Sequence, residues 1–284
     1  MKLKSIFEKS AYGTIAFIDT EEHFKVNKQH FDKIKHLLYV FPYIIVVTNR
    51  NESSDSTHQD AYHALYDQVH DSVIHVKLPY NKGHTYGTMQ MDNLLFSTSK
   101  QNNLPVVYIV KSSSDMVFDE TMFDVQIPDD LKDFYFYSSF GYGSCINEDK
   151  PEFIQSMTNG QNALAQSLFY IMTSKAPSIY GEVFVDAIME LNKKAPHMKP
   201  WELYAHIGKP LGHRGFSSEE LLESFVKKNQ LTTCNLLSES VLNKLHDFVL
   251  AYKVVDGSWK NVCIKDVGNL CHHHYHDKPQ FILG

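Results

Sequence analysis

The chain has 284 residues, 43% of them hydrophobic, and a formal net charge of −6. That size and apolar content bury a full core and exclude disorder. With no Lys/Arg-rich stripe to displace counterions from a phosphate backbone, nucleic acid is excluded as a partner. Cys145, Cys234, Cys263 and Cys271 form no CxxC pair, and no run approaches the ~20 apolar residues that span a bilayer. The sequence therefore predicts a cytoplasmic protein with no transmembrane segment.

In chain order, residues 14–18 (TIAFI) read as a first strand ending at Asp19, Thr20, Glu21 and Glu22. Phe31, Ile34, Leu37 and Leu38 recur at helical spacing, with a stop expected at Phe41 and Pro42. Residues 43–48 (YIIVVT) form a second buried strand running into Asn49, Arg50, Asn51 and Glu52. Ala61, Leu65 and Val69 predict another helix, and residues 73–78 (VIHVKL) a third strand. Such alternation describes a doubly wound, mostly parallel sheet with helices on both faces. Residues 80–87 (YNKGHTYG) read as a loop in which Gly83 allows close backbone approach and Lys82 meets a phosphate, or as an ordinary connection. A helix over 89–100 follows.

Val106 to Val110 form a β-branched and aromatic run of the kind buried on both faces. Lys111, Ser112, Ser113, Ser114 and Asp115 are expected to break it. Ligands of open α/β sheets bind at the carboxyl ends of strands, so Asp115 is placed to hold a cation or a phosphate-bearing ligand; the other reading is a capped turn.

This order of features resembles the nucleotide-diphospho-sugar transferase (GT-A) fold, in particular family-2-like glycosyltransferases. The matching stretches are TIAFIDTEE, YIIVVTNRNES, the Asn81, Lys82, Gly83 element followed by Asn93, and KSSSD at the end of the VVYIV strand. The resemblance covers residues 14–118. It implies a nucleotide-sugar site formed by Asp19, Thr20, Glu22, Asn49, Arg50, Lys82, Gly83, Asn93 and Ser113. It also implies Mn²⁺ or Mg²⁺ on Asp115, neutralising charge on the departing nucleoside diphosphate. The family's paired carboxylates are reduced here to one, because Ser113 and Ser114 precede Asp115, so either Asp115 alone ligates the metal, with substrate phosphates and waters completing its shell, or the site uses no metal.

Residues 121–284 are expected to form an acceptor-binding half continuous with the nucleotide-sugar-binding half, 1–120, in one compact domain. Residues 119–133 read as an acidic loop, and 134–143 (FYFYSSFGYG) as an aromatic edge strand or a sugar-facing wall. A helix is predicted over 152–173, with Phe153, Met157, Leu164, Leu168 and Ile171 on its buried side, and another over 183–191. Within GEVF (181–184), Glu182 resembles the family's acidic element and is the first candidate for the base that takes the acceptor proton, with Asp186 the second. The alternative is a carboxylate interacting with its own helix N-terminus. A loop over 201–215 carries His213 and Arg214, and a capping-box-like helix starts at Ser217. The tail places His272, His273, His274 and His276 within five positions. The resemblance implies a late histidine as a further metal ligand, and His274 and His276 are the candidates; a solvated tail or adventitious metal binding competes with it.

The expected function is metal-assisted transfer of a sugar from a nucleoside diphosphate donor, UDP- or GDP-linked first, to a carbohydrate or other hydroxyl acceptor. A sugar nucleotidyltransferase is the second reading, and a non-catalytic sugar-nucleotide or carbohydrate binding module the third.

Overall fold

In chain order the elements of the computed structural model are α1 (Lys4–Phe7), β1 (Ser10–Phe17), α2 (Glu21–Ile34), a 3-10 segment (Lys35–Val40), β2 (Tyr43–Asn49), α3 (Thr57–Asp67), β3 (Val73–Leu78), α4 (His84–Gln101) and β4 (Tyr108–Ser113). After them come β5 (Met116–Phe118), a second 3-10 segment (Glu120–Asp124), β6 (Phe134–Ser139), β7 (Leu164–Thr173), β8 (Thr233–Asn235) and β9 (Cys271–His273). The structure describes residues 1–81, 84–114, 116–118, 120–139, 164–177, 222, 225–236 and 271–273.

Seven strands form one sheet in the order β3-β2-β1-β4-β7-β6-β8. β3, β2, β1 and β4 are mutually parallel. β7 runs antiparallel to both β4 and β6, and β8 is parallel to β6. The predicted α/β class and mostly parallel sheet are thus observed. Two neighbouring strands, β5 and β9, pair antiparallel as a separate ribbon.

Alternation along the strands divides the core in two. Tyr12, Ala16, Ile44, Val46, Tyr108 and Val110 face α1, α2 and α3, which contribute Ile6, Phe7, Phe31, Ile34, Tyr62 and Tyr66. Ala11, Ile15, Ile45, Val47 and Ile109 face α4, which contributes Met89, Met91, Leu95 and Phe96, joined by Leu222, Phe225 and Val226. Strands whose apolar side chains point to both sides of the sheet demand cover on both faces. Each such side chain, fully buried, contributes about 1.5–3 kcal/mol. α4 lies so close to β1 that a Cβ added at Gly13 would stand 2.9 Å from Leu95 Cδ2.

Caps set where the helices begin. Thr20 is extended (φ −126°, ψ 167°), and its Oγ1 accepts the His23 amide at 3.3 Å, with Glu21 and Glu22 in the first turn of α2. At α3 the Asp55 Oδ1 accepts the Thr57 amide at 2.9 Å. That bond, together with Thr57's side chain, holds the Asp55 carboxyl below its usual range.

Several expectations are corrected. Residues 164–173, predicted as the end of a helix, are the strand β7. Phe169, Tyr170, Ile171 and Met172 are all buried, and β4 and β6 supply ladder partners on both sides. Lys111, Ser112 and Ser113 do not break β4 but complete it. The segment 134–139 is not an edge strand, because β8 lies outside it, and Phe134 and Phe136 stack at 5.4 Å inside the core. α4 begins at His84, so Gly87 belongs to the helix and not to the preceding loop. Helical residues at 222 and 225–228 agree with the helix expected from Ser217. The predicted helices over 152–163 and 183–191 and the loop over 201–215 lie outside the described residues.

Candidate site at the carboxyl edge of the sheet

The chain proceeds from β1 to β2 to β3 in one direction and then returns to the other side of β1 as β4. The carboxyl ends of β1 and β4 meet at this reversal, the place where open α/β sheets bind ligands, and here the segments after both strands, α2 and β5, pack on the same face of the sheet. Phe17 pairs with Asn49, Ile15 with Ser113, and the Ser114 amide donates to the Ile15 carbonyl at 3.0 Å. Asp19, Thr20, Asn49, Arg50 and Ser113, proposed from the sequence as one site, therefore share this edge.

Their side chains are differently engaged. Both Asp19 oxygens are taken by Asn51, Oδ1 by its amide at 2.8 Å and Oδ2 by its Nδ2 at 2.7 Å, which ties the loop after β2 to the end of β1. Partial burial by itself raises the Asp19 carboxyl, but hydrogen bonds from Ser54 and Asn51 and the nearby His23 outweigh it and hold it below its usual range. Arg50 donates through Nη1 to the carbonyls of Asn51 (3.0 Å) and Ser54, so that edge of its guanidinium closes its own loop. Thr20 caps α2, and Glu22 stands exposed in the helix's first turn.

Asn49 is buried, and its Nδ2 donates to Asn81 Oδ1 at 3.1 Å, joining the ends of β2 and β3. Its Oδ1 is a buried acceptor with no partner among the described residues. Asn93 lies half-buried on α4.

One feature of this edge escaped the sequence reading. Lys111 is fully buried on β4; its Nζ donates to Ser113 Oγ at 3.0 Å and stands 3.6 Å from Oδ1 of the equally buried Asp92 on α4. The same ammonium sits 5.7 Å from the Tyr170 ring centroid, and the Tyr170 hydroxyl donates to Asp92 Oδ2 at 3.4 Å. Because Ser113 Oγ accepts from Lys111, its own hydrogen is left to donate elsewhere. The available signal was the pairing of two oddities, a lysine within an apolar strand and an aspartate between Met91 and Leu94 on an apolar helix face.

Lys82, Gly83, Asp115, Glu182, Asp186, His274 and His276 lie outside the described residues. Among the described residues no group of three or more His, Cys, Asp or Glu side chains is arranged to hold a metal ion. The backbone does bring the tail to this region: Met116, next after position 115, pairs with His273, which immediately precedes His274. Among the described residues no helix is long and apolar enough to cross a membrane.

No protein-family model matches the chain, and no curated protein matches its sequence significantly.

Proposed function

We propose that the carboxyl edge of β1, β2 and β4 binds a nucleoside diphosphate sugar and that the chain is a GT-A-like, metal-assisted glycosyltransferase acting on a carbohydrate or other hydroxyl acceptor. One observation supports this above the rest: polar residues converge at the point where the strand order reverses, the place open α/β sheets use for phosphate-bearing ligands. In this reading the Ser113 hydroxyl, supported from below by Lys111, donates to a phosphoryl oxygen. The buried Oδ1 of Asn49 accepts an N–H from the base. Asp19 and Arg50 act indirectly, by holding the loop after β2 in place.

Asp115 and a tail histidine, His274 or His276, would hold one Mn²⁺ or Mg²⁺, whose charge offsets that on the departing diphosphate. The pairing of β5 with β9 favours this ligand set, since it joins the two segments that carry these residues. Glu182, with Asp186 second, is the proposed base for the acceptor proton.

Thermal-shift titration with UDP and GDP in the presence of Mn²⁺ tests the reading. Saturation a hundredfold above Kd stabilises the folded state by about 2.7 kcal/mol, readily seen as a raised Tm. Asp115→Ala should remove the Mn²⁺ dependence, and Glu182→Gln should lower transfer by roughly 10²–10⁴ with donor affinity unchanged. If no nucleotide stabilises the protein, the proposal fails. Binding without donor hydrolysis or transfer would point to a binding module instead.

A further inference from the structure

On the α3 face of the sheet, four side chains form an unbroken hydrogen-bonded line from the interior of β2 to the outer side of β3. Thr48 Oγ1 lies 2.7 Å from His63 Nε2, His63 Nδ1 lies 2.6 Å from His75 Nδ1, and His75 Nε2 lies 2.8 Å from Asp67 Oδ1. Thr48 and His63 are buried, while His75 and Asp67 reach solvent.

Donor and acceptor counting fixes every proton in this line. An ionised carboxylate only accepts, so His75 Nε2 carries hydrogen, and a neutral His75 then has a bare Nδ1. Two bare nitrogens cannot approach to 2.6 Å, so His63 Nδ1 carries the hydrogen between them. His63 Nε2 is consequently bare and accepts from the Thr48 hydroxyl. A metal ion does not fit the same gap, because two metal–nitrogen bonds of about 2.0–2.1 Å need a wider separation.

We propose that Thr48, His63, His75 and Asp67 form a proton-operated switch in which the gain of one proton, with its charge held on His75, reverses the hydrogen bond made by Thr48. When the pair gains one proton, the Nδ1 hydrogen of His63 crosses to His75 Nδ1, and the added proton resides on His63 Nε2. His75 becomes the cation against Asp67, and Thr48 turns from donor to acceptor, one residue before Asn49. The charge settles on His75 because burial, then the neighbouring His75 and Lys77, hold the His63 imidazole down at about 3, with Asp60 opposing. Lys77 on β3 is itself paired with Asp60 on α3 at 2.7 Å. Helix α2 meets α3 through Phe31 on Tyr66 and Phe24 on His58.

Two-bond ¹H–¹⁵N spectra of the histidine rings, recorded on the full chain from pH 8 to pH 5, test this. The expected result is an Nδ1–H tautomer for His63 at high pH that converts to Nε2–H as His75 becomes doubly protonated, both with one midpoint. Asp67→Asn, on the surface and still able to accept from Nε2, should shift that midpoint to lower pH. A His63 tautomer that never changes, a charge that appears on His63, or a midpoint unmoved in Asp67→Asn would each overturn the switch.

Discussion

Beneath α4 the sheet buries an ion pair, Lys111 with Asp92; beneath α3 it buries a neutral line, Thr48 with His63. Both stand in apolar surroundings near the carboxyl edge, but they respond to different insults. Two charges withdrawn from water depend on each other, and removal of one leaves the other uncompensated. A neutral imidazole between a hydroxyl and a second imidazole tolerates its surroundings until acid supplies a proton that burial refuses. One face should therefore be sensitive to substitution and the other to pH.

The largest effect is expected of Lys111→Met, which strands Asp92 inside the protein. It should cost about 3–5 kcal/mol in urea unfolding, while the double variant Lys111→Met/Asp92→Leu recovers most of that. A loss below about 1 kcal/mol for the single change would show that Asp92 is compensated by other groups.

The acid response of the other face comes next in size. His63 has a folded-state value near 3 against 6.5 unfolded, so the unfolded chain takes up the proton first. Its contribution is complete above pH 6.5 and is lost as pH falls towards 3, with a slope of at most about 1.4 kcal/mol per pH unit. His63→Gln should flatten this slope when stability is measured at pH 7, 5.5 and 4. Equal slopes for the variant and the wild type would remove the contrast between the faces.

Packing on the α4 face is probed by Gly13→Val. The added carbons meet Leu95, so the expected cost is about 1–3 kcal/mol, with Gly13→Ala smaller because a leucine tip can move. The smallest effect belongs to Thr20. Loss of its cap in Thr20→Ala should cost about 0.5–1 kcal/mol, and Thr20→Ser should restore it. If Thr20→Ala weakens UDP or GDP binding by more than its stability change accounts for, the hydroxyl also touches the ligand.

Much of the first half was legible because its signals are local. The apolar runs of β1, β2, β3 and β4 and the spacing of Phe31 with Ile34 or Leu95 with Met91 mark period and burial without reference to the rest of the chain. Parallel strands also send their carboxyl ends to one edge, so Asp19, Asn49 and Ser113 could be grouped from order alone. What those residues do at the edge was not legible. Nothing local distinguishes an aspartate aimed at a ligand from one whose two oxygens are both bound by Asn51.

The α/β class, the strand and helix alternation up to β4 and the edge on which polar residues collect follow from local pattern, since hydrophobic period and chain direction are written in consecutive residues. The remaining features depend on contacts between distant segments. Leu164, Leu168 and Ile171 satisfy a helical spacing, and only ladder partners on both sides make their segment β7. Lys111 reads as a strand breaker until Asp92 arrives on α4 to hold its charge, and His63 and His75 become one unit only when α3 packs over β3. Hydrogen bonds and ion pairs between distant segments depend on distances of a few ångströms that the fold creates, and a linear pattern carries no record of them.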